Sequence, residues 1–211
     1  MLLQYTFVFD QTRCIGCKNC LVACKTWNKI GPGPVAWRKH EEYESGKLEW
    51  NAQQAGETTA FRIYNMVKQC YHCDDPKCVA SCAAGAIIKD STNGMVIIDR
   101  NKCLGLRTCE PACPYGNISH AENGSDQETV REDSWQTDHP AQKCTMCYDR
   151  LAINKQPSCV GACQNRALDF GTVQEMTFKY RDRLTQDAPG FSDEGTGPNF
   201  FIIRKVDRVF V

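Results

Sequence analysis

All fifteen cysteines of this 211-residue chain fall into four short groups. They are Cys14, Cys17, Cys20 and Cys24; Cys70, Cys73, Cys78 and Cys82; Cys103, Cys109 and Cys113; and Cys144, Cys147, Cys159 and Cys163. The first group has the spacing C-x2-C-x2-C-x3-C, the run that binds iron–sulfur clusters in bacterial ferredoxins. The third keeps that frame but carries Leu106 at the second cysteine position. The second and fourth open with C-x2-C and close with C-x3-C across a longer gap. Three chemistries could use such groups. Disulfides suit them badly, because the count is odd and cysteines three apart in a tight turn would mispair. Four-cysteine zinc sites take two separated C-x2-C pairs, whereas here Cys14, Cys17 and Cys20 crowd together with Cys24 close behind. Iron–sulfur clusters, with several iron corners to fill, fit the crowding best.

Spacing of this kind demands particular elements. A short looping backbone can aim three thiolates at one cluster, while the fourth cysteine starts a helix that carries it to the other cluster of a pair. Gly16 permits the tight loop, and loop amides can hydrogen-bond the sulfurs. Between Cys82 and Cys103, the runs Ala86–Lys89 and Met95–Asp99 flank Asn93-Gly94 and predict a hairpin. Motif, helix, hairpin, motif is the layout of a two-cluster ferredoxin. The second and third groups then form an inner module, 61–119, and the first and fourth pair into an outer module, 1–60 with 120–211. The expected fold class is α+β, two interleaved two-cluster ferredoxin-like modules of β-hairpins and short helices around four iron–sulfur clusters.

Cross-ligation within each pair assigns the corners. Cluster 1 takes Cys14, Cys17, Cys20 and Cys163; cluster 2 takes Cys70, Cys73, Cys78 and Cys113. Cluster 3 has only Cys82, Cys103 and Cys109, and cluster 4 takes Cys24, Cys144, Cys147 and Cys159. Leucine cannot ligate iron, so the corner at Leu106 is vacant, lost with its iron, or filled by water or a neighbour. The expected cofactors are three 4Fe–4S clusters and one 3Fe–4S cluster. A 4Fe–4S cluster with an unusual ligand, or an empty third site, are the other readings.

Several runs carry a family resemblance. Cys14-Ile15-Gly16-Cys17-Lys18-Asn19-Cys20-Leu21-Val22-Ala23-Cys24-Lys25 and Cys70-Tyr71-His72-Cys73-Asp74-Asp75-Pro76-Lys77-Cys78 resemble the four-cluster subunit of bacterial dimethyl sulfoxide reductase. So do Ala112-Cys113-Pro114-Tyr115-Gly116, Lys143-Cys144-Thr145-Met146-Cys147-Tyr148-Asp149-Arg150 and Arg166-Ala167-Leu168-Asp169-Phe170-Gly171. The likeness runs from about Tyr5 to about Val206. It is specific for electron-transfer subunits, shared with polysulfide, thiosulfate, arsenate and formate systems, and much less so for a substrate. The resemblance implies a large partner with molybdenum or tungsten bis-pterin, and often a membrane anchor subunit exchanging electrons with quinone. It also implies a place peripheral to the cytoplasmic membrane, cytoplasmic or, by co-export with the partner, periplasmic. One departure is that only Cys113 keeps the following proline; Lys25, Ala83 and Gln164 follow the equivalent cysteines, which loosens a turn without removing a ligand.

Composition adds exclusions. Lys plus Arg and Asp plus Glu are 25 each, which argues against a general nucleic-acid binder. No apolar run approaches the roughly 18 residues needed to span a bilayer, and Met1–Asp10 reads as a strand with Tyr5, Phe7 and Phe9 on one face. Lys18, Lys25, Lys77, Lys102, Arg107 and Lys143 flank the cysteines; each alone reads most simply as a solvated side chain. His72 reads as a satisfied loop histidine, not a ligand, and His40, His120 and His139 have no partner recognisable from sequence. The stretch Gly31–Gly56 should pack over the outer module, with Trp37, Tyr43 and Trp50 as packing or interface residues. The acidic excursion Ser119–Gln142, with Glu122, Asp126, Glu128, Glu132, Asp133 and Asp138, reads as a solvated loop. A strand near Ala167–Phe170, a helix Val173–Leu184, a loop Ala188–Asn199 and a strand Phe200–Ile203 should follow, and the apolar end Val209–Val211 could dock on a partner. No catalytic motif stands out. The function expected is that of a non-catalytic subunit relaying single electrons between the pterin subunit and a quinone-linked or other redox partner. A free-standing polyferredoxin and a zinc-stabilised interaction module are the alternatives.

Overall fold

The computed structural model of the chain describes residues 3–45, 62–122 and 132–205. Its framework is a four-stranded sheet built from β1 (Tyr5–Asp10), β6 (Leu168–Thr172), β7 (Leu184–Thr185) and β8 (Phe200–Ile203), in the order β6-β1-β8-β7. β1 is antiparallel to β6 and parallel to β8, so the two ends of the chain close one sheet. Phe7 and Phe9 enter the main core with Phe200 and Ile202. Val8, on the opposite face, is equally buried against Met176 and Ile203. The strand is therefore covered on both sides, as a central strand is, not on the single face that its aromatic residues suggest.

Met176 belongs to α6 (Val173–Tyr180). This helix opens on a complete capping box: the Thr172 hydroxyl accepts from the Glu175 amide at 3.1 Å, and the Glu175 carboxylate accepts from the Thr172 amide at 2.8 Å. Thr172→Ala is expected to lower the unfolding free energy by about 1 kcal/mol, measurable as a denaturant midpoint shift at constant slope. The helix ends before the expected Leu184, because Arg181 takes a left-handed φ of 49° and Arg181–Arg183 form a 3-10 turn.

Two hairpins complete the strands. β2 (Arg38–Ser45) pairs antiparallel with β3 (Arg62–Gln69) from Arg38↔Gln69 to Ser45↔Arg62, in a stretch whose sequence carries no apolar alternation. β4 (Ile87–Lys89) pairs with β5 (Val96–Ile98) as the sequence predicts. The connection runs from Asp90 to Met95 and includes Asn93-Gly94. The Asp90 carboxylate accepts from the Thr92 amide at 2.8 Å and the Asn93 amide group at 2.7 Å, shaping a loop from Asp90 to Met95.

The remaining helices are short: α1 (Asn19–Trp27), α2 (Lys77–Ala80), α3 (Cys109–Ala112), α4 (Tyr148–Leu151) and α5 (Ser158–Gly161). α1 packs on α5 and α2 on α3. The expectation of a wholly solvated loop from Ser119 to Gln142 fails at its ends. Ser119 and Gln142 exchange backbone hydrogen bonds of 2.9 and 2.8 Å, and Ala121, Trp135 and Ala141 are buried. Asp126 and Glu128, like Trp50 and Val209–Val211, lie outside the described residues.

Candidate metal centre

The cysteines gather in four places. Cys14, Cys17, Cys20 and Cys163 line one pocket, together with Phe9, Val67 and Ala167. Cys82, Cys103 and Cys109 line another, whose wall includes Leu106, Arg107 and His120. Cys144 is surrounded by Cys24, Cys147 and Cys159. Cys78 has Cys70, Cys113 and Cys73 as its thiol neighbours.

Each set draws one member from a distant motif, and the helices supply the reason. A C-x3-C spacing is one helical turn, so its two sulfurs lie on the same face one above the other. On α1 these are Cys20, in the first set, and Cys24, in the set with Cys144. Cys78 lies on α2 with Cys82 just past its end; Cys109 lies on α3 with Cys113 as its C-cap; Cys159 lies on α5 with Cys163 just beyond. One turn of helix thus serves two sites at once and fixes them side by side.

The loops that aim the other thiols share a conformation. Two residues after the first cysteine of each motif the backbone is left-handed: Gly16 at φ 71°, His72 at 48°, Gly105 at 70° and Met146 at 56°. Glycine does this freely, while His72 and Met146 hold it only because tertiary contacts impose it. Both are fully buried, and the His72 Nδ1 accepts the Val96 amide at 2.9 Å. Burial, ahead of Lys143 and Lys89, holds His72 far below the ordinary histidine range, so it is neutral.

A second regularity concerns the last cysteine of each motif. Four residues further on, a nitrogen donates to its sulfur: the Ala86 amide to Cys82 at 3.3 Å, the Ala167 amide to Cys163 at 3.2 Å, the Asn117 amide to Cys113, and the Asn28 side chain to Cys24 at 3.6 Å. The Ala141 amide donates to Cys103 and the Met146 amide to Cys144, each at 3.4 Å, and the Thr196 hydroxyl to Cys73 at 3.3 Å. Such donors favour the thiolate and set the electronics of whatever it binds. Neither regularity is visible in spacing alone.

Burial opposes the thiolate. It pushes Cys24 and Cys78 up to about 12, and Cys73 and Cys109 to about 11, with neighbouring thiols adding to the rise in each. Thiols this crowded ionise only when a metal takes the place of their protons. Two buried cations fit an anionic occupant. Lys143 donates to the Val96 and Cys144 carbonyls, and Arg38 lies fully buried with both terminal nitrogens unpartnered among the described residues. Four sulfurs round one zinc ion would stand about 3.8 Å apart, given Zn–S bonds near 2.3 Å. Among the described residues no group of three or more His, Cys, Asp or Glu side chains is placed to hold a single metal ion. Of the remaining histidines, the Nδ1 of His120 lies 3.0 Å from the Glu110 carboxylate, and the Nε2 of His40 lies 2.9 Å from Asn65 Oδ1. Both partners come from other motifs or strands, which is why sequence could not show them.

A family described as the 4Fe-4S dicluster domain matches residues 61–173. An anaerobic dimethyl sulfoxide reductase iron–sulfur protein of Escherichia coli (strain K12) is 37% identical over 202 residues, 96% of this chain and 89% of that protein. The protein belongs to the iron–sulfur subunit family of the dimethyl sulfoxide reductases. Its counterpart from the anaerobic dimethyl sulfoxide reductase of Haemophilus influenzae is 38% identical over 202 residues, 94% of this chain and 88% of its own length. A sulfite dehydrogenase subunit of Allochromatium vinosum is 34% identical over 225 residues, covering 100% of this chain and 87% of that protein. Within this family the chain is an iron–sulfur electron-transfer subunit of an oxidoreductase. Among the described residues no helix is long and apolar enough to cross a membrane.

Proposed function

We propose that the chain relays single electrons between a large molybdenum or tungsten bis-pterin catalytic subunit and a membrane quinone-linked or other redox partner. The ligands are the four thiol sets: Cys14, Cys17, Cys20 and Cys163 (cluster 1); Cys70, Cys73, Cys78 and Cys113 (cluster 2); Cys82, Cys103 and Cys109 (cluster 3); and Cys24, Cys144, Cys147 and Cys159 (cluster 4). Clusters 1, 2 and 4 are 4Fe–4S, cluster 3 is 3Fe–4S, and the sets pair as two interleaved ferredoxin-like modules. When bound, the clusters take up and pass on one electron at a time. The chain aims the thiolates, donates amide hydrogen bonds to them and keeps water away; substrate chemistry belongs to the catalytic subunit. It works peripherally, on whichever membrane face that subunit occupies.

The observation that carries this reading is the serial arrangement of the sets. α1 joins clusters 1 and 4 through Cys20 and Cys24, and the α2 segment joins clusters 2 and 3 through Cys78 and Cys82. Cys70 and Cys144, from clusters 2 and 4, share the main core. With clusters 4 and 2 taken as neighbours through that core, the order proposed is 1–4–2–3. Its middle is buried, while both ends open outward: Cys17 is exposed beside Ile15 at 70% exposure, and Leu104 and Leu106 flank the third set at 55% and 58%. A relay needs such ends to meet its partners and an insulated middle.

The test is affinity purification of the tagged chain from its native host, with iron analysis and mass spectrometry of what accompanies it. A brown protein carrying about fifteen iron atoms, the sum for such clusters, together with a large pterin-containing subunit, is expected. An iron-loaded chain that purifies alone, with no pterin protein recovered after mild crosslinking, would make it a free-standing carrier instead.

A further inference from the structure

We propose that Arg38 is a fixed positive charge shared by clusters 1 and 4, holding both at higher reduction potentials than their ligands alone would set. The inference rests on the cluster assignment above and concerns a residue outside every cysteine motif.

Arg38 opens β2 opposite Gln69, and α1 packs against the same strand. Its side chain is buried at 2% exposure, with the guanidinium carbon 5.3 Å from the centroid of the Phe7 ring. Among the described residues, both terminal nitrogens lack a hydrogen-bond partner. The groups nearby whose ionisation would bear most on this guanidinium are the thiols Cys159, Cys20, Cys144 and Cys24. Cys14 feels the same charge. Cys14 and Cys20 belong to cluster 1, and the other three to cluster 4. Because Cys20 and Cys24 stand one helical turn apart on α1, a guanidinium facing that helix reaches both sets.

A buried cation without a counter-ion forfeits a large part of a domain's net stability. Arginine cannot escape by losing its proton, because its guanidinium stays protonated far above physiological pH. Anionic clusters on either side resolve the conflict, and the planar fork of donors can address two acceptors at once. Buried Lys143 differs, since its ammonium already donates to backbone carbonyls. A positive charge in a low-dielectric interior favours the more negative, reduced form of each neighbouring cluster. Neutralising it should make both clusters harder to reduce, and the inner pair should be little affected.

Redox titration of the purified complex, followed by electron paramagnetic resonance with clusters assigned by single ligand substitutions, tests this. Arg38→Met is expected to lower the potentials of clusters 1 and 4 by at least tenfold in the reduction equilibrium, about 59 mV for one electron. Clusters 2 and 3 should hold their values, and Arg38→Lys should restore most of the shift. Unchanged potentials, a uniform shift of all four clusters, or a lysine variant that behaves like methionine would each overturn the proposal. Should Arg38→Met fail to fold, the unsubstituted protein labelled with 15N-arginine still decides it. Nitrogen hyperfine coupling at clusters 1 and 4 supports the assignment, and its absence at both defeats it. A parent chain with no cluster signals would instead defeat the cluster reading itself.

Discussion

Leu106→Cys is expected to abolish the three-iron signal of the oxidised protein, add one iron atom per chain, and lower the potential of cluster 3. The backbone supports this more strongly than the spacing does. Around Cys17, Gly16 and Lys18 stand at φ 71° and 62°; around Leu106, Gly105 and Arg107 stand at 70° and 58°. The two loops thus pass through the same left-handed turns on either side of the same position. Both central side chains are exposed at the rim of a pocket lined by the other thiols of their set. A thiol at position 106 would therefore be offered to cluster 3 as Cys17 is offered to cluster 1. Arg107 is anchored by a 3.0 Å hydrogen bond to the Ala121 carbonyl, so the loop need not move to admit the ligand. A fourth thiolate and a fourth iron change cluster type and charge, which set the potential. The drop should be at least about 59 mV, tenfold for one electron. Low-temperature electron paramagnetic resonance and iron analysis read the result. A parent protein without a three-iron signal would show the corner to be filled by another group or the site to be empty.

What was legible in the sequence is what spacing dictates. Cysteines four apart on a helix must share a face, whatever surrounds them, so the division of each motif between two sites follows from covalent order. β1, β4, β5, β6 and β8 were legible because their apolar residues are short and bounded by polar turns. β2 was not: the sequence Arg-Lys-His-Glu-Glu-Tyr-Glu-Ser has no hydrophobic period, and it is a strand because β3 offers it a paired edge. Arg38 was hidden for the same reason. In a polar run it looks like any solvated arginine, and only the packing of α1 over β2 shows that it is enclosed. His72 and Met146 were hidden differently. Their left-handed backbone belongs to a loop position that two of the four motifs fill with glycine, so aligning the motifs to one another carried the signal.

The recurrence of loop and donor geometry also bears on how the sites tolerate change. Where glycine stands at the left-handed position, the loop adopts its shape without steric strain. Where His72 or Met146 stands there, the shape depends on buried contacts, so the loops of the second and fourth motifs lean on the core for their conformation more than those of the first and third do. Accessibility agrees: all four thiols of the cluster 4 set are buried, while Cys17 is exposed. Cys17→Ser should therefore cost one cluster and little stability, and Cys144→Ser should compromise the whole fold.

Removal of iron is accordingly expected to collapse the tertiary structure, beyond bleaching the protein. The main core contains Cys70, Cys144 and Cys159 among Phe7, Phe9, Met66 and Phe200, and a second core contains Cys78, Cys103 and Cys109 among Ala86, Ile87 and Val96. Emptying four sites leaves cavities, each costing about 24 cal/mol per Å³ that does not refill. It also leaves Arg38 as an unpaired buried charge, a loss of about 3–5 kcal/mol. Against a net stability of about 5–15 kcal/mol, these losses together exceed what the fold can bear. Oxidative chelation should abolish the near-ultraviolet circular dichroism and the cooperative thermal transition. Part of the far-ultraviolet signal should persist, as it does where hydrogen-bonded backbone outlasts the loss of specific packing. Ferrous iron with sulfide should restore both lost signals. An iron-free chain that still melts cooperatively near the temperature of the loaded one would mean that protein contacts alone hold the core, and that the thiols occupy it without organising it.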